Sequence, residues 1–164
     1  MRHLRPATPA DADAIAAIYA WHVAHGGATF DTVAPDAAAH AGKIGEVAAA
    51  GWPYLVAEDG GEILGYAYAT QIRPRAAYAH TAEDSIYIRH DARGRGLGRT
   101  LLTALLDAAV ACDFRQMIAV IGDAEAASVG LHAAHGFVEV GRLRAVGWKF
   151  GRWMDVVYMQ RPLP

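Results

Sequence analysis

Three glycines alternate with basic residues in a short segment that could hold a phosphate group. Residues 93–100 read Arg-Gly-Arg-Gly-Leu-Gly-Arg-Thr and lie between a strand-like run at 85–88 and a helix-like run that begins at Leu101. Glycines leave the backbone N–H groups open to an anion, and the positive end of the following helix points toward it. A flexible basic surface turn is the alternative for such a segment. The strand before it and the helix after it favour the anion site.

The composition favours one compact domain with a hydrophobic core over residues 1–164, because 54% of the residues are hydrophobic and 20% are charged. The net charge of −2 does not provide the overall basic field of a nucleic-acid-binding protein, so the local arginines suit a small anion. A single cysteine, Cys112, excludes an intrachain disulfide and a cysteine-based metal site, and we expect no metal. We expect its side chain on the apolar face of a helix.

The N-terminal residues 1–6 lack the apolar stretch of a secretory signal, and no window of the chain approaches 18 uninterrupted apolar residues. The sequence therefore predicts a soluble, cytoplasmic protein without a membrane partner.

Hydrophobic periodicity and turn signals along the chain predict eleven elements around the glycine segment. In order, they are a strand at 2–7, a helix from Thr8 to about His25, a helix at 36–50, strands at 54–58, 63–69 and 81–89, a helix from Leu101, a strand at 116–121, a helix at 126–135, and strands at 138–145 and 154–160. The order β-α-α-β-β-β-α-β-α-β-β predicts an α/β or α+β domain around one mixed, mostly antiparallel sheet.

Several separated segments resemble the GCN5-related N-acetyltransferase (GNAT) superfamily. Residues 93–98 match the R/Q-x-x-G-x-G/A loop of that superfamily, in its position between a strand and a helix. Four further segments are similar to the subgroup that acetylates phosphinothricin and methionine sulfoximine or sulfone, at 81–88, 119–122, 128–132 and 149–155. The resemblance covers nearly the whole chain and implies a GNAT-like central sheet flanked by helices.

The resemblance implies acetyl-coenzyme A as the donor and a small, amino-acid-like primary amine as the acceptor, with direct transfer in a ternary complex. The backbone of Tyr87 and Ile88 would pair with the pantetheine arm, and N–H groups from about Gly94 to Arg99 would hold the pyrophosphate. The implied cofactor-binding residues are Ile86, Tyr87, Ile88, Arg93, Gly94, Arg95, Gly96, Leu97, Gly98, Arg99, Thr100, Glu125 and Ser128. Glu125 stands where the family usually has asparagine, and an ionised glutamate cannot donate a hydrogen bond. We therefore expect a weaker or rearranged contact there.

Two residues are the candidate catalytic groups. Attack on a thioester needs a neutral amine, so a base must accept a proton, and Glu83 lies where the resemblance places the acetyl group. Asp84 points to the opposite face of its strand and is the weaker candidate. His132 stands where many superfamily members have a tyrosine, and an imidazolium there could protonate the departing thiolate. The alternatives are an ordinary strand glutamate and a structural helix histidine. A backbone N–H near Ile88 would stabilise the oxyanion.

The acceptor site is predicted at Phe30, Arg73, Arg75, Tyr78 and Glu83. Arginine forks suit a carboxylate, phosphinate or sulfone oxygen, although a loop Arg-Pro-Arg could also be simply solvated. Phe30 would line the pocket, or else anchor the core. Members of the subgroup typically form dimers, so the resemblance also implies a homodimer, with Trp148 and Trp153 as large apolar surfaces.

Other functions fit the sequence less well. The glycine segment is one residue short of a P-loop and lacks its lysine, and its glycines do not match the dinucleotide-binding fingerprint. A non-catalytic acyl-coenzyme A binding module would keep the glycine segment and dispense with Glu83, Arg73 and Arg75. A peptide N-terminus or a polyamine is the alternative acceptor, and a polycation would call for an acidic pocket rim.

Overall fold

The computed structural model of the protein describes residues 2–164. The described residues form seven strands and four α-helices in the predicted order. In chain order they are β1 (His3–Pro6), α1 (Ala12–His25), α2 (Ala37–Ala49), β2 (Tyr54–Asp59), β3 (Glu62–Gln71), β4 (Thr81–Ile88), α3 (Leu97–Ala111), β5 (Gln116–Gly122), α4 (Ala126–Ala134), β6 (Val138–Lys149) and β7 (Arg152–Pro162). The prediction of one mixed α/β sheet is confirmed.

The strands lie side by side in the order β1-β2-β3-β4-β5-β7-β6. All neighbouring strands are antiparallel except β4 and β5, which run parallel. The parallel pairing covers only Thr81 to Glu83 on β4 and Gln116 to Ile118 on β5. Beyond these residues the two strands separate, and the sheet has a gap in its middle.

Two hydrophobic clusters hold helices against the two faces of the sheet. On one face, Ile15 of α1 and Ile44 of α2 pack with Tyr66 and Val56. On the other face, the leucines of α3 pack with small residues of the central strands and with Phe114 and Met117. Alternation along each strand supplies both faces, because successive side chains point to opposite sides of a sheet.

Some predicted boundaries are wrong. Helix α3 begins at Leu97 rather than Leu101, so its first turn lies inside the glycine segment. A 3-10 turn at Pro9–Asp11 precedes α1, which begins at Ala12. Cys112 lies just after α3, not within it. Each error falls at an element end, where the chain can continue or leave the helix at similar cost.

Strands β6 and β7 are longer than predicted because a two-residue turn joins them directly. Phe150 and Gly151 both have positive φ, at 53° and 70°. A two-residue turn of this kind matches the twist of the flanking strands. The hairpin therefore extends to Lys149 on one side and starts at Arg152 on the other.

Candidate active site

The gap between β4 and β5 exposes backbone groups that have no strand partner. Arg89 N donates to Leu64 O at 2.8 Å and Ile72 N donates to Thr81 O at 3.0 Å, which fixes the phase of the β3–β4 ladder. Since bonded and non-bonded positions alternate in an antiparallel pair, the backbone groups of Ile86 and Ile88 point away from β3 and into the gap. An extended ligand can add to the sheet there.

The same register corrects the expectation for Tyr87. Ile88 and Gly65 form a non-hydrogen-bonded pair of the ladder, and the neighbouring pair is Tyr87 and Tyr66. Because the two kinds of pair alternate, the backbone N–H and C=O of Tyr87 face β3. The two residues that can pair with a pantetheine arm are therefore Ile86 and Ile88. The C=O of Ile88 already accepts a hydrogen bond from His22 Nε2 at 2.8 Å.

The start of α3 presents free N–H groups to the same end of the gap. Gly94 and Gly96 have φ values of 73° and 75°, in the left-handed region that only glycine adopts without strain. The first helical bond runs from Thr100 N to Gly96 O at 3.1 Å. The N–H groups of Leu97, Gly98 and Arg99 precede that bond and have no acceptor within the helix. Free N–H groups at a helix N-terminus are what an anion site requires, and the prediction of such a site stays a prediction.

Thr100 and the arginines of the segment have different surroundings. The Thr100 hydroxyl donates to Gly96 O at 3.2 Å, so its O–H and N–H are both used within the helix turn. Arg93 lies over the Trp21 ring, 4.8 Å from its centroid, with an N–H 3.4 Å from His22 Nδ1. Arg95 and Arg99 are exposed. Arg93 thus joins the glycine segment to α1 through Trp21 and His22, a role that no local sequence pattern indicates.

A cavity of about 270 Å³ opens at the gap. It is lined by residues 28–30 of the α1–α2 loop, residues 83–87 of β4, the end of β5 at 119–122, and Ser128, His132 and Val156. Of the predicted site residues, the fold brings Phe30, Glu83, Ser128 and His132 together around this one space. Arg73, Arg75 and Tyr78 are not part of its lining.

Glu83 lies in the cavity wall at the last paired position of β4. Burial raises the pKa of its carboxyl group, and the negative charge of Asp84 raises it further, while Arg73 and Lys43 lower it. A carboxylate whose pKa moves toward neutrality is better matched to accept a proton from an ammonium group.

His132 is buried in α4 and is bonded through both ring nitrogens. Its Nε2 lies 2.8 Å from Asp84 Oδ2, and its Nδ1 lies 2.8 Å from the backbone O of Ser128. Burial lowers the pKa of the imidazole, but the hydrogen bond and the charge of Asp84 outweigh burial and the net shift is upward. Asp84 does lie on the strand face opposite Glu83, as predicted, and that face is where α4 packs. The sequence indicates Asp84 only as a weaker candidate base than Glu83, and it does not indicate the contact of Asp84 with His132.

Glu125 is the N-cap of α4. Its carboxylate accepts a hydrogen bond from Ser128 N at 2.8 Å. Glutamate thereby fills the acceptor role of a cap residue at the helix N-terminus. The family's asparagine position is occupied here by a residue that is already engaged with its own helix.

Phe30 lies against two glycines at the edge of the cavity. A Cβ atom at Gly147 of β6 would overlap the Phe30 ring, and one at Gly122 of β5 would lie 3.1 Å from it. The loop that carries Phe30 is held by Lys149, whose Nζ donates to Gly26 O and to Thr29 O, both at 2.9 Å. Burial lowers the pKa of the Lys149 ammonium. Lys149 is a supporting residue that the motif contained but that sequence reasoning did not single out.

Arg73, Arg75 and Tyr78 lie on the exposed β3–β4 loop. Gln71 Nε2 donates to the backbone O atoms of Arg73 and Arg75, at 2.6 and 2.9 Å, which fixes the loop backbone. Arg73 is close enough for its charge to act on Glu83. The loop therefore stands beside the cavity, with both guanidinium groups exposed.

Comparisons with known proteins agree with this architecture. The family model described as "Acetyltransferase (GNAT) domain" matches residues 4–158. A phosphinothricin N-acetyltransferase of Alcaligenes faecalis is 55% identical over 93% of this chain and 78% of its own length. An L-methionine sulfoximine/L-methionine sulfone acetyltransferase of Pseudomonas paraeruginosa is 42% identical over 96% of this chain and 92% of its own. A solved GNAT phosphinothricin acetyltransferase from Sinorhizobium meliloti, in complex with acetyl-coenzyme A, superposes with a TM-score of 0.96 at 45% identity, over 99% of this chain and 88% of that one.

Proposed function

The chain belongs to the GNAT family and is an acetyl-coenzyme A-dependent N-acetyltransferase, and we propose that its acceptor is the amino group of a small amino-acid analogue. The candidate acceptors are phosphinothricin, methionine sulfoximine and methionine sulfone, because the two relatives above carry these names. The observation that carries the proposal is the cavity at the β4–β5 gap, with Glu83 in its wall.

The residues at the gap fit the co-substrate. Acetyl-coenzyme A, when bound, supplies an acetyl group as a thioester. The free N–H groups of Leu97, Gly98 and Arg99 would hold its pyrophosphate, and the backbone groups of Ile86 and the N–H of Ile88 would pair with its pantetheine arm. The N–H of Ile88 is also the candidate donor to the oxyanion.

Glu83 acts as the base in this proposal. The acceptor arrives mostly as an ammonium ion, and Glu83 accepts its proton, directly or through a water molecule. The raised pKa of Glu83 makes its carboxylate a stronger base than an exposed glutamate. His132 is the source of the proton for the departing sulfur, since its two ring nitrogens face the backbone O of Ser128 and the carboxyl group of Asp84.

The exposed β3–β4 loop binds the acceptor and selects it by its charge in this proposal. Arg73 and Arg75 suit a phosphinate, sulfone or carboxylate oxygen, and Tyr78 adds an aromatic surface that is 41% exposed. Phe30 closes the opposite side of the cavity. Two exposed guanidinium groups disfavour a polyamine, whose positive charges would be repelled.

We further propose that this single domain works as a homodimer in the cytoplasm, where acetyl-coenzyme A is available. Seven large apolar side chains on β6, β7 and their turn are each 46% to 62% exposed: Val138, Val140, Leu143, Val146, Trp148, Phe150 and Trp153. We call these residues the β6–β7 apolar surface. An exposed surface of this kind at a sheet edge calls for a protein partner, and a second copy of the chain is the simplest one.

A thiol-release assay with acetyl-coenzyme A and a panel of amines tests the acceptor. The panel contains phosphinothricin, methionine sulfoximine, methionine sulfone, ordinary L-amino acids, a peptide N-terminus and a polyamine. We expect the highest kcat/KM among the first three. Changing Arg75 to Ala should lower kcat/KM for those three while leaving the KM for acetyl-coenzyme A unchanged. A polyamine or a peptide as the best acceptor would contradict the proposal.

A further inference from the structure

The buried contact between Asp84 and His132 fixes where protons lie at the cavity wall. Only 1% of the Asp84 side chain and 3% of the His132 side chain are exposed. The Nδ1 atom of His132 faces a backbone carbonyl oxygen, which can only accept, so Nδ1 carries a hydrogen. The Nε2 atom faces a carboxyl oxygen at 2.8 Å. The pair therefore holds one proton more than a neutral imidazole and a carboxylate together.

His132 lines the cavity, but neither of its ring nitrogens is free to contact a bound ligand. Both of its ring nitrogens are engaged, and 2% of the residue is exposed. An imidazole N–H would have to leave Ser128 O or Asp84 before it could contact a sulfur atom. A second group must therefore carry the proton from the pair to the cavity.

The hydroxyl group of Ser128 lies beside His132 in the cavity wall. Its Oγ lies 3.4 Å from His132 Nδ1, and Ser128 is partly exposed in the cavity wall. A hydroxyl group can accept one proton while it donates another. The N–H of Ser128 is held separately by Glu125, so the side chain is free of the helix cap.

We infer that Ser128 is a catalytic residue that passes a proton from the Asp84–His132 pair to the sulfur of coenzyme A as the thioester breaks. Asp84 is a positioning residue that acts through His132. The inference rests on the proposed function, because it concerns the leaving group of that reaction.

The step balances in atoms and charge. The carbon–sulfur bond of the tetrahedral adduct breaks and its electron pair goes to sulfur. Ser128 gives its hydroxyl proton to that sulfur, forming the thiol, and takes the Nδ1 proton of His132. The imidazole is left neutral and keeps its Nε2–H bond to Asp84. The lone pair on Nδ1 then faces the backbone O of Ser128, which favours the return of a proton from solvent.

The electrostatics support this direction of transfer. A thiol has an ordinary pKa of about 8.5 and an imidazole of about 6.5. The Asp84 contact raises the pKa of His132 toward that of the thiol, so that the imidazole holds the proton to be transferred. Asp84 from β4 is the ionisable group bonded to His132, Glu83 lies on the opposite face of β4, and the ring of Phe137 packs edge-on at 4.9 Å.

The protonation state of His132 can be read without activity. Nitrogen NMR of the imidazole in the full chain, with and without coenzyme A, reports how many ring nitrogens carry a hydrogen. We expect two at about pH 7.5, well above the ordinary imidazole pKa, and one in Asp84→Asn at the same pH. One protonated nitrogen in the unchanged protein would overturn the inference, whatever the acceptor proves to be.

The relay is tested by Ser128→Ala with two acetyl donors. With acetyl-coenzyme A we expect kcat to fall by about tenfold or more, the scale of a lost acid catalyst, with the acceptor KM unchanged. With the acetyl thioester of an acidic aromatic thiol the loss should shrink to within about twofold, because that thiolate needs no proton to leave. Ser128→Thr keeps a hydroxyl group and should lose less kcat than Ser128→Ala.

The matched control is Thr103→Ala. Thr103 Oγ1 lies 3.1 Å from Nε2 of His135, a histidine that also bonds back to a helix carbonyl but lies outside the cavity. This variant should keep the kcat of the unchanged protein. A Ser128→Ala variant with full kcat, or with equal losses for both donors, would refute the relay while leaving the proposed function intact. A chain that acetylates none of the amines would instead refute the proposed function.

Discussion

At the scale of single residues, the proposed chemistry depends on two consecutive residues whose side chains point to opposite faces of the sheet. Glu83 and Asp84 follow one another on β4, and alternation sends them to different sides of the sheet. Both still line one cavity, because β4 separates from β5 at this point. In the proposed function Glu83 is the base for the acceptor, whereas Asp84 holds His132.

Changing Glu83 to Gln removes the proposed base and keeps the shape of the side chain. We expect kcat/KM at neutral pH to fall by about 100-fold, within the range of general-base catalysis. In the unchanged protein, activity should be lost as the pH falls through the raised pKa of Glu83, because only the ionised carboxylate accepts a proton. Thiol release measured across the pH range checks both points. A variant that keeps full activity would show that another group is the base.

Changing Asp84 to Ala leaves the His132 imidazolium buried without its partner. Breaking a buried pair from one side costs about 3–5 kcal/mol of unfolding free energy. Because the pKa of His132 is raised in the folded state, this stabilisation is complete below the ordinary imidazole pKa and is lost as the pH rises through the raised value.

Urea unfolding of both proteins at several pH values measures this effect. The difference between the unchanged protein and the variant should shrink as the pH rises. Arg115→Ala, which removes an ion pair with Asp113 whose side chains are 51% and 61% exposed, is the control and should change stability little. A pH-independent difference would contradict the assignment of the proton to this pair.

At the scale of elements, the candidate site lies where several elements begin or end. They are the end of β4, the start of α3, the start of α4 and the loop after α1. The glycine segment presents free N–H groups because α3 begins at Leu97, so that the first N–H groups of the helix lie at the gap. The loop after α1 is held in place by Lys149 of β6, which is distant in the chain.

Changing Gly96 to Ala tests the start of α3. The residue has a φ of 75°, and a side chain in this region costs roughly 1–2 kcal/mol. We expect the strain to disturb the first turn and raise the KM for acetyl-coenzyme A, with a smaller effect on the acceptor KM. Gly45→Ala, inside α2 with open space around it, is the control and should leave both constants unchanged. Equal effects on both KM values would argue against a cofactor-side role.

Changing Lys149 to Met removes the two hydrogen bonds to the loop that carries Phe30. Two backbone carbonyl groups would lose their donor, so the loop should become less ordered and the acceptor KM should rise about tenfold, the equivalent of roughly 1.4 kcal/mol. The KM for acetyl-coenzyme A serves as the internal control, because the loop lies on the acceptor side. Steady-state kinetics with each substrate varied in turn decides the point. An unchanged acceptor KM would show that the loop holds its position without Lys149.

At the scale of the whole molecule, helices cover the two faces of the central strands, and the long edge strand β6 is mostly exposed. Strand β6 is the outermost strand on one side, and residues 2–164 supply no strand beyond it. The β6–β7 apolar surface lies along this edge, with Trp148 and Trp153 in edge-to-face contact at 4.9 Å. Long apolar edges are exposed to aggregation unless another chain covers them.

Changing Trp148 to Glu places a charge within the β6–β7 apolar surface. We expect the molar mass in solution to fall from that of a dimer to that of a monomer, because a buried unpaired charge opposes association. Light scattering coupled to size-exclusion chromatography measures the mass. Val33→Glu, at an apolar residue that is 82% exposed elsewhere, is the control and should not change it. A monomeric unchanged protein would contradict the dimer.

The sequence by itself determined the order of the elements, and it identified the glycine segment as a candidate anion site and Glu83 and His132 as chemical candidates. These features depend on local spacing, which a linear pattern records. The contact between Asp84 and His132, the hold of Lys149 on the loop of Phe30, and the choice of Ile86 and Ile88 over Tyr87 for the gap were decided by the tertiary structure alone. Each depends on how two distant segments approach or on the phase of a hydrogen-bonded ladder, and neither quantity is contained in local sequence periodicity.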